Sequence, residues 1–175
     1  MKPMKIALFE ALKDEILLMA KVDQEMRRKA GEAVEKGQDY WDASVDMRNT
    51  RRMKEIVSQI GWPTISKVGK EASHASWLLV QHADRDVPFQ IFCLKLMKVW
   101  SLKEVDSVDI AYLTDRIRVN QGLNQVYGTQ YRKRGSLEWP CPIENESEVN
   151  SRRKIMGLDT LQENISRMNS PRLEP

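Results

Sequence analysis

The feature that most restricts this chain lies near its start. Phe9, Leu12, Ile16, Met19, Asp23, Met26, Ala30 and Ala33 follow one another at alternating steps of three and four residues. That spacing is one face of a long helix packed against a near-parallel or antiparallel neighbour. It predicts a helix from about residue 4 to 36, stopped at Gly37. Asp23 interrupts the apolar stripe, with Gln24 beside it and Arg27 one turn later. A carboxylate turned into a helical core must find partners or suffer a large desolvation cost. Two readings stay open at this point: a plain bridge to Arg27 four residues on, or a polar pocket at this level of the helix.

Four more helices are predicted before residue 122. Asp42 to Ile60 carries Val45, Met53, Ile56, Val57 and Ile60 and is ended by Gly61-Trp62-Pro63, since Gly suits the position after a helix and Pro cannot continue one. Lys70 to Ala83 is wholly apolar at Trp77–Val80, which marks it as central. From Pro88 to about Leu102, the stripe Phe89, Phe92, Cys93, Leu96, Met97 and Trp100 predicts a core-facing helix. Ser107 to Asn120 is the fifth. Gln125 to Tyr131 then alternates and is rich in β-formers, Arg132–Ser136 reads as a turn, and Leu137–Trp139 as a returning strand. Ser147 is expected to cap a short helix ending at Gly157, and Thr160 to Met168 forms a last one. The expectation is a mainly α fold: one compact domain over residues 1–168, with five to seven helices, a small hairpin or irregular arm near 125–143, and a frayed tail at 169–175.

Composition agrees with a folded globular chain. The 175 residues carry a net charge of +3, with 30% charged and 41% hydrophobic residues, which excludes disorder as the dominant state. Apolar runs such as Trp77–Val80 fall far short of the roughly 20 residues that span a bilayer, so no membrane partner is expected. Met1-Lys2-Pro3-Met4-Lys5 leads into a helix carrying Glu10, Lys13, Asp14 and Glu15, without a signal-peptide core. The cytoplasm is the expected compartment. Cys93 in an apolar stretch and Cys141 between two prolines make neither a disulfide framework nor a zinc pattern, and only His74 and His82 supply imidazole. No metal is expected. Phosphate- and dinucleotide-binding glycine motifs are absent, as is a nucleophile elbow, so no cofactor is expected either. The basic runs Arg27–Lys29, Arg51–Lys54, Arg132–Arg134 and Arg152–Lys154 alternate with acids and read as solvated faces; nucleic acid is not an expected partner.

Polar chemistry gathers in short patches. Gln81-His82-Ala83-Asp84 ends the most apolar helix, and Phe89-Gln90 starts the next. Tyr112, Asp115, Arg116 and Val119 share one helical face. Gln125, Tyr127, Thr129 and Gln130 surround Gly128, which permits close backbone approach. With Asp23, Gln24 and Arg27 these supply carboxylates, two guanidiniums, amides and one imidazole. Each patch also has a plain structural reading: His82 on the last carbonyls of its helix, Asp115 and Arg116 as a buried bridge, and the 125–130 amides satisfying the backbone.

Together, Asp23-Gln24 with Arg27, Gly61-Trp62-Pro63, Trp77-Leu78-Leu79-Val80-Gln81-His82-Ala83-Asp84, Phe89-Gln90, Ala111-Tyr112-Leu113-Thr114-Asp115-Arg116, Tyr127-Gly128-Thr129-Gln130, Pro142-Ile143 and Arg152-Arg153 with Gly157-Leu158 resemble a bacterial domain family of unknown function. The resemblance runs from about residue 8 to 168. It implies a single, mostly helical bacterial domain and carries no activity with it. His74 stands where that pattern has a small residue.

Two functions remain. In the first, the chain is an enzyme for hydrolysis or group transfer on a small polar, anionic substrate. His82 is then the general acid or base, because imidazole exchanges protons near neutrality. Asp84 or Asp23 orients it, Arg27 and Arg116 hold the anion, and Gln24, Gln81, Gln90, Tyr112, Asp115, Gln125, Tyr127, Thr129 and Gln130 complete the ligand contacts. In the second, the chain is a non-catalytic ligand- or protein-binding module with a regulatory or defence role, and Arg132–Arg134 make the contact. Oligomeric state is not constrained by the sequence.

Overall fold

Helix α1 (Lys2–Glu35) runs unbroken for 34 residues in the computed structural model, which describes residues 2–100 and 102–170. Its stripe faces inward as the spacing requires: Leu12, Ile16, Met26 and Ala30 are buried, and so is Asp23 at 0% exposure. Two compact units make up the chain, Met1–Asp106 and Ser107–Pro175, and the described residues hold seven α-helices and one two-stranded sheet.

In the first unit α1 packs chiefly on α3 (Ile65–Gln81), and both meet α2 (Ala43–Ile60). The Asp42 side chain caps α2 by accepting the Ser44 N–H, and Gly61 ends it at φ 68°. That turn drops Trp62 into the core at 1% exposure. Gly69, at φ 81° and ψ 163°, interrupts α3, so its regular part begins where the sequence places it, at Lys70. Trp77, Leu79 and Val80 are buried.

Helix α4 (Val87–Lys98) is narrower and shorter than its pattern predicts. Phe89, Cys93 and Met97 are buried, one turn apart, whereas Phe92 is 51% and Trp100 42% exposed. A seam repeating every four residues turns Phe92 outward. The helix ends at Lys98, so Trp100 lies past its last turn, where Lys67 Nζ sits 5.4 Å from the ring.

The second unit begins with α5 (Ser107–Asn120). The hairpin differs from expectation. Its strands are β1 (Tyr131–Arg134) and β2 (Leu137–Pro140), antiparallel, with Arg134 opposite Leu137. The turn is therefore Gly135-Ser136 alone, with a positive φ of 64° at the glycine, the pattern of a two-residue primed turn. Residues 125–130 form no strand, because their backbone donors are used elsewhere, as described below. A 3₁₀ turn at Glu146–Glu148 runs directly into α6 (Val149–Ile155), so Ser147 lies inside that turn and caps nothing. Helix α7 (Leu161–Asn169) opens with a full capping box of Thr160 and Glu163. The expected frayed tail falls, from residue 171 on, outside the described residues.

Candidate functional site

Asp23, carried inward by α1, meets the end of α3. Its two carboxylate oxygens lie 2.9 and 3.1 Å from Nδ1 of His82, the residue that closes α3 and is itself part-exposed. Opposite an ionised carboxylate, Nδ1 carries the proton and donates it, which leaves Nε2 as an acceptor. The Arg27 Nε–H is 3.2 Å from Asp23 and 3.0 Å from His82 Nδ1. A protonated Nδ1 has no lone pair to offer, so this donor belongs to Asp23. Gln24 Nε2 donates to the same carboxylate at 2.8 Å.

Arg27 also reaches the other way. Its Nη2 donates to Asp46 Oδ1 of α2 at 2.7 Å, and its guanidinium lies 5.0 Å from the Trp41 ring, a cation–π distance. One guanidinium thus joins two carboxylates under an indole. Burial would push the Asp23 carboxyl up, but the hydrogen bonds from His82 and Arg27, with the positive charge beside it, outweigh that and hold it below its ordinary value. At Asp46 the balance falls the other way: burial, with the Asp23 and Asp84 charges nearby, raises the carboxyl despite Arg27.

A cavity of about 540 Å³ opens beside this cluster, lined among others by Trp41, Asp46, Thr50, Arg51, Lys54, His82, Asp84 and Arg85. One wall is a face of α2, since Ala43, Asp46, Met47, Thr50, Arg51 and Lys54 recur at steps of three and four. The other is the loop from His82 to Asp86. Asp86 pins that loop by accepting the Phe89 N–H as the cap of α4 and by pairing with Lys54.

The neighbouring amides are structural in their contacts. Gln90, fully buried, donates through Nε2 to the carbonyls of Val80 and Gln81 at 3.2 and 3.1 Å and stands 3.4 Å from Asp84 Oδ1. It closes the C-terminal end of α3. Gln81 is buried, with no hydrogen-bond partner for its Oε1. Asp84, one candidate to orient His82, is exposed; Asp23 holds the imidazole instead.

Tyr112, Asp115, Arg116, Gln125, Tyr127, Thr129 and Gln130 belong to the second unit, where all but Tyr112 are joined in one hydrogen-bond network. The Asp115 carboxylate accepts the backbone N–H groups of Val126 at 2.8 Å, Tyr127 at 3.1 Å and Thr129 at 3.0 Å, together with the Thr129 hydroxyl at 3.0 Å. Burial pushes its carboxyl up against the pull of those donors. Gln125 accepts the Gln130 N–H and donates to the carbonyls of Gln130 and Cys141. Arg116 Nη1 donates to Gln130 Oε1 at 3.2 Å. From the other side Arg152 takes the Val126 carbonyl and the fully buried Arg153 the Tyr127 carbonyl, at 2.8 and 2.7 Å. This loop is clamped through its own backbone.

Sequence reasoning passed over Asp46 and Trp41. Their signals were present: a second carboxylate one turn into α2, after Asp42, and an aromatic residue in the polar stretch between two helices. Among the described residues no group of three or more His, Cys, Asp and Glu side chains is arranged to hold a metal ion, and no helix is long and apolar enough to cross a membrane. Neither the curated proteins nor the solved structures provide a match. A family match does exist, over residues 10–171, covering nearly every element described above. The chain belongs to the family of unknown function DUF6624.

Proposed function

We propose that the first unit is a catalytic centre in which His82 acts as general base and then general acid on a small polar substrate, in a hydrolysis or group transfer. The observation that carries this reading is the pairing of the buried Asp23 carboxylate with His82 Nδ1 at 2.9 Å while the same imidazole lines the cavity. A carboxylate behind Nδ1 fixes the tautomer and stabilises the imidazolium formed when Nε2 takes a proton. Asp23 is the orienting residue in this assignment, and Gln24 supports it. The anionic character of the substrate loses the support of Arg27, whose Nε and Nη2 already serve Asp23 and Asp46. Arg51 and Arg85 are the guanidiniums left at the cavity. Free thiols at Cys93 and Cys141 support a reducing compartment such as the cytoplasm, and the motif resemblance supports a bacterial source.

A panel of ester, amide, phosphoester and glycosidic compounds incubated with the wild-type chain and with His82→Gln tests this assignment. Turnover by the wild type that disappears in the variant is the expected result. Turnover equal in both, or none across the panel, overturns it. The second reading, a binding module, draws on the exposed strand Arg132–Arg134, where Arg134 covers Trp139 at 5.9 Å. A wild-type chain that captures a partner only through that strand, with no turnover, favours it.

A further inference from the structure

We infer that the cavity takes a flat nitrogen heterocycle bearing N–H donors, a nucleobase in chemical class, stacked on Trp41. This rests on the reading of the same cavity as the functional site and names what enters it. Trp41 stands on the cavity wall with one face against the Arg27 guanidinium. It is nevertheless 51% exposed, so the rest of the indole is open. An indole braced from behind by a cation is a rigid stacking platform, and such platforms bind any π-face. The apolar side chains Ala43 and Met47 continue this end of the wall.

The cavity wall carries donors as well as acceptors: Arg51, Lys54 and Arg85 line it, with Lys54 paired to Asp86, and Asp46 and His82 supply acceptors. Asp46 uses Oδ1 for Arg27, which leaves Oδ2 to the cavity wall. His82 offers Nε2. An aromatic platform edged by acceptors and cations matches a ring whose rim carries amino or imino hydrogens beside ring nitrogens or carbonyl oxygens. A ring with acceptors alone leaves Asp46 and His82 without a donor, and an aliphatic polar molecule leaves the indole uncovered. The volume of about 540 Å³ lies within the range of small-molecule sites.

Calorimetric titration of the full chain with adenosine, guanosine and cytidine tests the inference, with N6,N6-dimethyladenosine and ribose as controls. At least one of the three nucleosides binds. If that nucleoside is adenosine, the dimethylated analogue binds more weakly. Ribose does not bind. Trp41→Ala weakens binding about five- to a hundredfold, Trp41→Phe keeps most of it, and Asp46→Asn weakens it. Unchanged thermal unfolding of these surface variants secures the comparison. Binding by none of the three nucleosides, equal binding of ribose, or full binding by Trp41→Ala overturns the inference. Comparing nucleoside binding with panel turnover separates it from the catalytic reading. Nucleoside binding without turnover of any panel compound leaves the ring site standing and removes the catalysis. His82-dependent turnover without nucleoside binding does the reverse.

Discussion

His82 Nδ1 and the Asp23 carboxylate meet at 2.9 Å across 59 residues of chain. The contact ties the middle of α1 to the end of α3 and places an oriented imidazole at a cavity, so its two members can be tested separately. Asp23→Asn keeps the volume but replaces an acceptor with an amide that can donate to Nδ1 and favour the other tautomer. The expected outcome is a large fall in any His82-dependent turnover, with stability lower by about 1.5–3 kcal/mol for a lost charged hydrogen bond. Nitrogen NMR of the imidazole, read together with urea unfolding, checks both.

The same carboxyl predicts a pH dependence. Asp23 is held below its ordinary value when folded, so folding favours its ionised form. The stabilisation is fully present above the ordinary carboxylate range near 3.9 and is lost as pH falls through the lowered folded value. Asp46, raised when folded, has the opposite sign: its contribution declines as pH rises from the ordinary range through its folded value. Urea midpoints between pH 7 and pH 3 should fall less steeply on the acid side in Asp23→Asn than in wild type.

In the second unit the Asp115 carboxylate replaces the strand partner that Val126, Tyr127 and Thr129 lack. Asp115→Ala leaves the N–H groups of Val126, Tyr127 and Thr129 without their acceptor, at a cost of about 2–4 kcal/mol. Hydrogen exchange should accelerate at those three amides first, while the amides of α1 keep their protection.

Gly128→Ala should cost more than an alanine at a glycine with open space around it. At φ +70°, a Cβ there meets Ile143 Cδ1 at 2.7 Å and Leu161 Cδ1 at 3.0 Å. Overpacking and a left-handed backbone together cost about 2–4 kcal/mol. The thermal midpoint of Gly135→Ala, where nothing lies within 4 Å of the new atom, supplies the control for the backbone share alone.

The two thiols should react unequally. Burial pushes the Cys93 thiol up to about 12, and a protonated, enclosed sulfur is inert. Ellman's reagent is expected to modify Cys141 readily in the native chain and Cys93 only after unfolding. Two equally fast thiols would contradict the packing of α4.

Much of the helical order was written in spacing. The stripe from Phe9 to Ala33 marks α1 because burial on one face leaves a 3.6-residue trace, and Asp23 stood out because it broke that trace. Asp46 and Trp41 left only a weak one: a carboxylate in the first turn of a helix and an aromatic residue in a connecting segment are ordinary there, and only the approach of α1 gives them a shared guanidinium. Residues 125–130 misled in the opposite way. Alternation with β-formers normally means a ladder, but Asp115 satisfies the same donors from a helix. Phe92 and Trp100 fit the stripe of α4 by number, yet the seam is narrower than that stripe and the helix stops before Trp100.

Arg27 holds Asp23 with one edge of its guanidinium and Asp46 with another, so a single positive charge serves as counter-ion to both. Any proton that settles on either carboxylate changes the field felt by the other and by the imidazole. The two carboxyls therefore ionise as a coupled pair and not as separate groups. Replacing Arg27 would move both of their steps at once.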